Sequence, residues 1–420
     1  MPLRAGDLCH QATVGRGWTG AFRTVPLSRE GSGVPRGDLV SGHLAVSEAP
    51  PRGDAHMKAE GAMPVDRQPV DNDPELLGLP VAQRSDSNAS RTPVIEAREL
   101  TKVFTGSKSI FRRNVDDIRA VTKVSLHVDP GSVLGLAGES GCGKSVTAEM
   151  LAKLQEPTSG SISYRGEDIT HVGGARLSTF RRKVGMVFQS PFDSMNPRWK
   201  IADAISEPLR IHKVGDRSER RSAVMEMLER VGLRPAEYYI ERYPHELSGG
   251  ELQRAAVARA LILGPDLVIA DEPTTMLDVS VRAGILNLLK RMRDEENLAM
   301  LFISHDLTTL SYLCDRVAIM YLGRVVEMGP AAGVLGERLH PYTNALAAAV
   351  PLEDPDLIRP PVPIIGDLSS ASATTQGCAF APRCPAGGRV CEEEAPELLE
   401  VREGHYVACH LHDDSKVVKQ

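Results

Sequence analysis

The sequence predicts an α/β protein built around a largely parallel, buried sheet, and three observations carry that expectation. Short apolar runs, Ser132-Val133-Leu134-Gly135-Leu136-Ala137, Leu267-Val268-Ile269-Ala270 and Met300-Leu301-Phe302-Ile303, have the length and composition of strands covered on both faces. Segments of helical period separate them, including an amphipathic stretch from Val279 to Arg293. The first run passes at once into a glycine-rich loop and then into a helical pattern from Lys144 to about Leu154.

Composition narrows the class. The 420 residues are 42% hydrophobic and 25% charged, as in soluble globular proteins, and the net charge of −6 gives no basic field for nucleic acid. No window of ~18 uninterrupted apolar residues occurs, so the chain is not expected to span a membrane. The start, Met1-Pro2-Leu3-Arg4-Ala5-Gly6-Asp7, lacks the apolar core of a secretory signal. A cytosolic setting follows as the expectation, and there the seven cysteines stay reduced rather than forming a disulfide framework.

Along the chain, residues 1–92 are rich in Gly, Pro, Ser, Asp and Arg without sustained period and read as a disordered extension. Met57 and Met63 within it leave a later start as the alternative. Pattern begins near Pro93: strands are expected at Val94–Leu100 and Ala120–Val128, with a basic loop between them. Residues 93–330 form the expected main domain, with a mostly helical portion at about 190–262. Residues 331–420 form a C-terminal extension, in which a Pro-rich stretch from Pro351 to Pro363 leads to a cysteine-containing tail.

Gly138-Glu139-Ser140-Gly141-Cys142-Gly143-Lys144-Ser145 fits G-x-x-x-x-G-K-[ST]. Glycines let successive backbone N–H groups turn toward one anion, and the following helix adds its positive end. Lys144 can reach β- and γ-phosphates, and the Ser145 hydroxyl can ligate Mg²⁺. Cys142 reads as a small loop residue, with a redox role as the alternative. The strand Leu267–Ala270 ends in Asp271-Glu272-Pro273. An Asp in that place holds Mg²⁺, and Glu272 beside it is placed to polarise an attacking water as general base.

These features alone would fit kinases, GTPases and helicases. Leu247-Ser248-Gly249-Gly250-Glu251-Leu252-Gln253-Arg254 opens a second helix, Glu251 to about Leu263, and makes a second anion-binding helix N-terminus. Two cradles are explained by two chains head to tail, each signature closing over the nucleotide in the other's phosphate loop. The segment resembles the LSGGQ signature of ATP-binding cassette (ABC) proteins, with Glu251 where Gln is commoner. The resemblance implies a P-loop cassette fold, in which antiparallel β and helical subdomains accompany the parallel sheet, and an ATPase using ATP and Mg²⁺. It further implies that Gln189 is the Q-loop glutamine contacting Mg²⁺ and water, that His305 is the switch histidine at the γ-phosphate, and that Asp278 is the D-loop aspartate. Met276 stands where D-loops usually carry a small residue. Phe104 is the candidate for stacking on adenine, with Phe111 the rival and a plain core aromatic the alternative.

The resemblance covers about residues 94–412 and sharpens toward dipeptide, oligopeptide and nickel importers. Ser190-Pro191-Phe192-Asp193-Ser194-Met195-Asn196-Pro197-Arg198 after Gln189, and His340-Pro341-Tyr342-Thr343, carry it. So does the tail around Cys378, Cys384, Cys391 and Cys409. This branch implies an ATP-hydrolysing importer subunit at the cytoplasmic face of the membrane. Its partners would be a second ABC ATPase (identical or homologous), two permeases and, indirectly, an extracytoplasmic binding protein. The four cysteines lack the CxxC pairs of a zinc ribbon. The branch implies a [4Fe–4S] cluster on them, with Zn²⁺ or unliganded thiols as alternatives. Ribosome-associated cassette proteins usually carry two cassettes per chain, and chromosome-maintenance ATPases a long coiled coil, for which the segment between Ser145 and Asp271 has no heptads. An exporter half-transporter would need fused membrane spans, which the sequence does not lead one to expect, or a separate permease.

Overall fold

The computed structural model describes residues 92–105, 117–349 and 376–413. The expected N-terminal extension, Phe111 and the Pro-rich stretch lie outside the described residues, except for Thr92 at the extension's edge. The first elements among the described residues are β1 (Ile95–Phe104), β2 (Ile118–Val128), β3 (Val133–Ala137) and α1 (Lys144–Leu151). There follow β4 (Ser159–Tyr164), β5 (Glu167–Asp168), α2 (Gly174–Arg182), β6 (Val184–Val187) and α3 (Pro191–Ser194). A helical stretch holds α4 (Ile201–Ile211), α5 (Arg217–Arg230), α6 (Ala236–Ile240) and α7 (Gly249–Leu261). Then come β7 (Leu267–Asp271), α8 (Val279–Glu296), β8 (Ala299–Ile303), α9 (Leu307–Leu313), β9 (Arg316–Tyr321) and β10 (Arg324–Pro330). The last elements are α10 (Ala331–Glu337), α11 (Pro341–Ala348), α12 (Arg389–Glu393), β11 (Leu399–Arg402) and β12 (His405–Val407).

The central sheet has the order β11-β12-β10-β9-β3-β8-β7-β6. From β6 to β9 every pairing is parallel, as the apolar runs predict. Strand periodicity divides these runs between two cores. Val133, Val268, Ala270, Met300 and Phe302 face a core shared with the helices that include α4, α5 and α7. Leu134, Leu136, Leu267, Ile269, Leu301 and Ile303 face the other core, beneath a small antiparallel sheet of order β2-β1-β4-β5. The sheet is therefore covered on both faces, which is why its strands read as continuous apolar runs rather than alternating ones. Among the described residues, no helix is long and apolar enough to cross a membrane.

The C-terminal tail is sewn into this body. β12 pairs antiparallel with β10 and β11 with β12, covering what would otherwise be the sheet's edge. Phe380, 1% exposed, packs against Tyr321, Tyr342 and His340 with ring centroids 5.3, 5.5 and 5.8 Å away. Glu327 of β10 is wholly buried and compensated. It accepts from Leu339 N–H (3.0 Å) and His340 N–H (2.9 Å), and His405 Nε2 of β12 lies 2.9 Å away. This carboxylate thus pins both the start of α11 and the tail hairpin to the sheet. Replacing Phe380 with Ala is expected to cost about 3–5 kcal/mol and to expose residues 376–413 to limited proteolysis ahead of the rest. Wild-type resistance in that variant would show that the tail does not depend on this anchor.

Candidate active site

The phosphate loop occupies residues 138–143, between the end of β3 and the start of α1. Gly143 caps the helix in a left-handed conformation (φ 104°), and a Cβ there would stand 2.3 Å from the Ala120 carbonyl oxygen. Only glycine allows this close approach to β2, which aims the first N–H groups of α1 into the loop. Lys144 is 5% exposed, and its Nζ donates to the carbonyls of Gly138 and Glu139, both at 2.9 Å. The Cys142 thiol points into the core beneath β3, and burial pushes its pKa up; this agrees with the small-residue reading.

The loop forms one wall of a cleft of about 1020 Å³ lined also by Gln189, Glu272, Thr275, His305 and Asp306. Asp271 ends β7, adjacent to Ser145. Burial raises its carboxyl pKa, and the hydrogen bond from the Ser145 hydroxyl opposes that shift. A half-buried carboxylate beside a hydroxyl, at the foot of a phosphate loop, is a donor set suited to Mg²⁺, whose charge would favour the ionised acid.

Glu272 adopts a left-handed backbone (φ 46°), which costs a non-glycine residue roughly 1–2 kcal/mol. Its N–H donates to the Ile303 carbonyl at 3.0 Å, tying the strained turn to the end of β8. Its Oε2 accepts from Thr275 Oγ1 (3.0 Å) and Gln189 Nε2 (3.3 Å), and His305 Nδ1 stands 3.3 Å from the same atom. Three residues singled out separately in the sequence, Gln189, Glu272 and His305, therefore meet at one carboxylate oxygen.

The second cradle stands apart. Ser248, Gly249 and Gly250 open α7 and do not line the cleft, as expected if they serve another chain's nucleotide. Ser248 caps the helix, and its N–H and Oγ donate to Glu251 Oε2 at 2.9 and 2.7 Å. The signature's departure from Gln is thereby a capping box, and the Ser248 hydroxyl holds the Glu251 carboxyl below its usual range. A Cβ at Gly250 would stand 2.4 Å from Val281 Cγ1, so glycine lets α7 approach α8. Asp278 caps α8 through Val281 N–H at 2.9 Å, and Met276 beside it is 71% exposed. Phe104, at the end of β1 opposite Ile118, also lies outside the cleft lining, under Lys102 Nζ at 5.3 Å from the ring centroid.

Several cleft residues escaped the sequence reading. Leu346 and Ala349, from and just after α11, line the cleft, and the Tyr342 hydroxyl accepts the Glu139 N–H at 2.9 Å. Arg282 also lines it, paired with Asp306 at 3.3 Å. The His-Pro-Tyr-Thr segment was the available signal, read only as a branch marker. Further along, Cys378, Cys384, Cys391 and Cys409 all line one small second cavity, together with His340 and His410. Burial raises the thiols of Cys378 and Cys384, and that of Cys409 to about 11. Among the described residues, no three or more His, Cys, Asp or Glu side chains form a ready site for a metal ion.

Comparison with known proteins agrees with this geometry. Residues 121–275 match the family described as ABC transporter, and residues 326–391 the one described as oligopeptide/dipeptide transporter, C-terminal region. The chain is 41% identical over 327 residues to the oligopeptide transport ATP-binding protein AppF of Bacillus subtilis, covering 77% of this chain and 99% of that protein. It is 44% identical to the di/tripeptide transport ATP-binding protein DppF of Pseudomonas aeruginosa, over 76% of this chain and 97% of that one. Among solved structures, the dimeric ATP-binding cassette MJ0796 bound to ADP and Pi superposes with a TM-score of 0.51 at 27% identity. That superposition covers 56% of this chain and 98% of the other. Because Lys144 is the buried cation of the loop, Lys144→Ala is expected to weaken nucleoside triphosphate binding by at least about tenfold, measured by titration calorimetry. Unchanged affinity would count against the cradle.

Proposed function

The chain belongs to the ABC transporter family of ATPases, and from that premise we propose that it is the ATP-hydrolysing subunit of an importer for dipeptides or oligopeptides. The observation that carries the reading is the meeting of Gln189, Glu272 and His305 on one wall of a cleft whose other wall is the phosphate loop. The peptide-importer character rests on the C-terminal region and on the names borne by the relatives.

The chemistry follows from the residues. The backbone N–H groups of Gly138, Ser140, Gly141, Cys142 and Gly143, with the start of α1, hold the phosphates of ATP, the Glu139 N–H being taken by the Tyr342 hydroxyl, and Lys144 neutralises the β- and γ-phosphates. Ser145, Asp271 and Gln189 would hold Mg²⁺, which supplies charge neutralisation between those phosphates. Glu272 orients and polarises the attacking water, Gln189 and Thr275 fix its carboxylate, and His305 contacts the γ-phosphate. Phe104 provides an aromatic face for adenine, on the strand pair whose Ala120 lines the cleft. Ser248, Gly249 and Gly250 close over the nucleotide of a second cassette, identical or homologous, with Asp278 at the seam. Closing and opening of that pair drives two permeases docked at the cytoplasmic face of the membrane, with an extracytoplasmic binding protein delivering cargo. In the tail, Cys378, Cys384, Cys391 and Cys409 would hold a [4Fe–4S] cluster, with Zn²⁺ the alternative. Such a group cross-links a segment with little core of its own.

Three measurements test these roles. Glu272→Gln is expected to lower ATP turnover by about 10²–10⁴ while ATP binding persists; normal turnover would remove Glu272 as the base. Gentle detergent purification from native membranes should bring two multi-span permeases and a second cassette, and a chain that comes alone would overturn the importer reading. Anaerobically purified protein should contain iron and acid-labile sulfide; absence of both would exclude the cluster, and stoichiometric zinc would identify the alternative.

A further inference from the structure

Glu139 is an acidic residue inside a loop built to receive a polyanion. It lines the cleft, and its side chain is 25% exposed. Any phosphate entering the cradle meets this carboxylate unless a cation offsets it. The phosphate loop's own cation, Lys144, does not do so, because its Nζ is bound to the backbone carbonyls of Gly138 and Glu139.

The offsetting charge comes from 244 residues away. Arg383 lies in the cysteine tail, between Cys378 and Cys384, and is 7% exposed. Its Nη1 lies 3.3 and 3.2 Å from the two carboxylate oxygens of Glu139 and donates also to the Tyr321 hydroxyl at 3.3 Å. The arginine is seated from below by the aromatic cluster, its guanidinium carbon 5.8 Å from the Tyr321 ring centroid and 5.9 Å from that of Phe380. A second tie runs parallel to the first, where the Tyr342 hydroxyl takes the Glu139 N–H at 2.9 Å. Side chain and backbone of one loop residue are thus both held by the C-terminal region.

We propose that Arg383 is a positioning residue of the ATP site: it neutralises Glu139 and turns that carboxylate away from the incoming phosphates, so the cysteine tail sets the affinity of the phosphate loop. The proposal rests on residues 138–145 being the ATP cradle. It makes the tail part of the nucleotide site rather than an appendage, and it gives any change in the cysteine cavity a route to the loop through Arg383.

The test is ATP affinity of the full chain with Mg²⁺, by titration calorimetry, on Arg383→Gln, Arg383→Lys, Glu139→Gln/Arg383→Gln and Lys144→Ala. Iron and sulfide contents should be matched to wild type. Arg383→Gln is expected to weaken ATP binding about tenfold, the scale of one uncompensated charge near a polyanion. Arg383→Lys, which keeps the charge, should lose less. The double variant should recover to within about threefold of wild type, because removing the acid removes the need for the base. Wild-type affinity in Arg383→Gln overturns the proposal. So does a double variant as weak as the single, which would make Arg383 a strut of the fold. If Lys144→Ala also binds ATP normally, the cradle assignment fails and the proposal falls with it; if Lys144→Ala alone is weak, only the role of Arg383 is lost.

Discussion

The parallel register of β3, β8, β7 and β6 is the constraint on which the site depends. Parallel neighbours all end at the same edge of a sheet, and residues just past those ends are forced into one crevice. Gly138 follows β3, His305 follows β8, Glu272 follows β7 and Gln189 follows β6. No single loop has to reach far. Each supplies one group within two residues of a buried strand whose position the two cores fix. A functional group at a strand end inherits the rigidity of the sheet, so the shared contact at Glu272 Oε2 needs little further ordering.

That rigidity explains where strain is tolerated. Glu272 must leave β7 at a sharp angle for its carboxylate to enter the cleft, and a left-handed residue makes the turn in one step. The unfavourable conformation is offset by Thr275 within the same turn, and by the N–H bond to Ile303 and the contact with Gln189, which exist only because β8 and β6 flank β7. At the phosphate loop the same problem is solved by glycine. The difference follows from function: a phosphate cradle requires bare backbone, whereas residue 272 must carry a side chain.

Much of this was legible in the sequence because the strands are buried on both faces. Continuous apolar runs have few readings, and the chemically distinctive residues sit immediately after them. Asp271 and Glu272 follow Leu267–Ala270, and His305 follows Met300–Ile303 by two positions. The helical patterns were read for the same reason, with α8 running three residues beyond Arg293. Long-range pairing was not legible. Nothing local marks β12 as a partner of β10, since a three-residue strand has no period of its own. Glu251 looked like a mere departure from a signature; its capping of α7 emerges only with the Ser248 geometry. Nothing local marks Arg383, among the cysteines, as a partner of Glu139; only the fold brings the two together.

The C-terminal region shows why such links form. β10 would be the sheet's edge, with unpaired backbone groups, and the β11–β12 hairpin covers it. Covering that edge brings Phe380 onto Tyr321 at the C-terminal end of β9, beside the same end of its parallel neighbour β3, which runs into the phosphate loop. A tail held there to satisfy a sheet edge already lies within reach of the loop, and a basic side chain in it meets the loop's acid without further movement. An acid at position 139 and a base at position 383 are each poor choices alone, one repelling the phosphates and the other burying an unpaired charge. Together they remove both difficulties, so the two positions are expected to depend on each other more than on their neighbours in sequence.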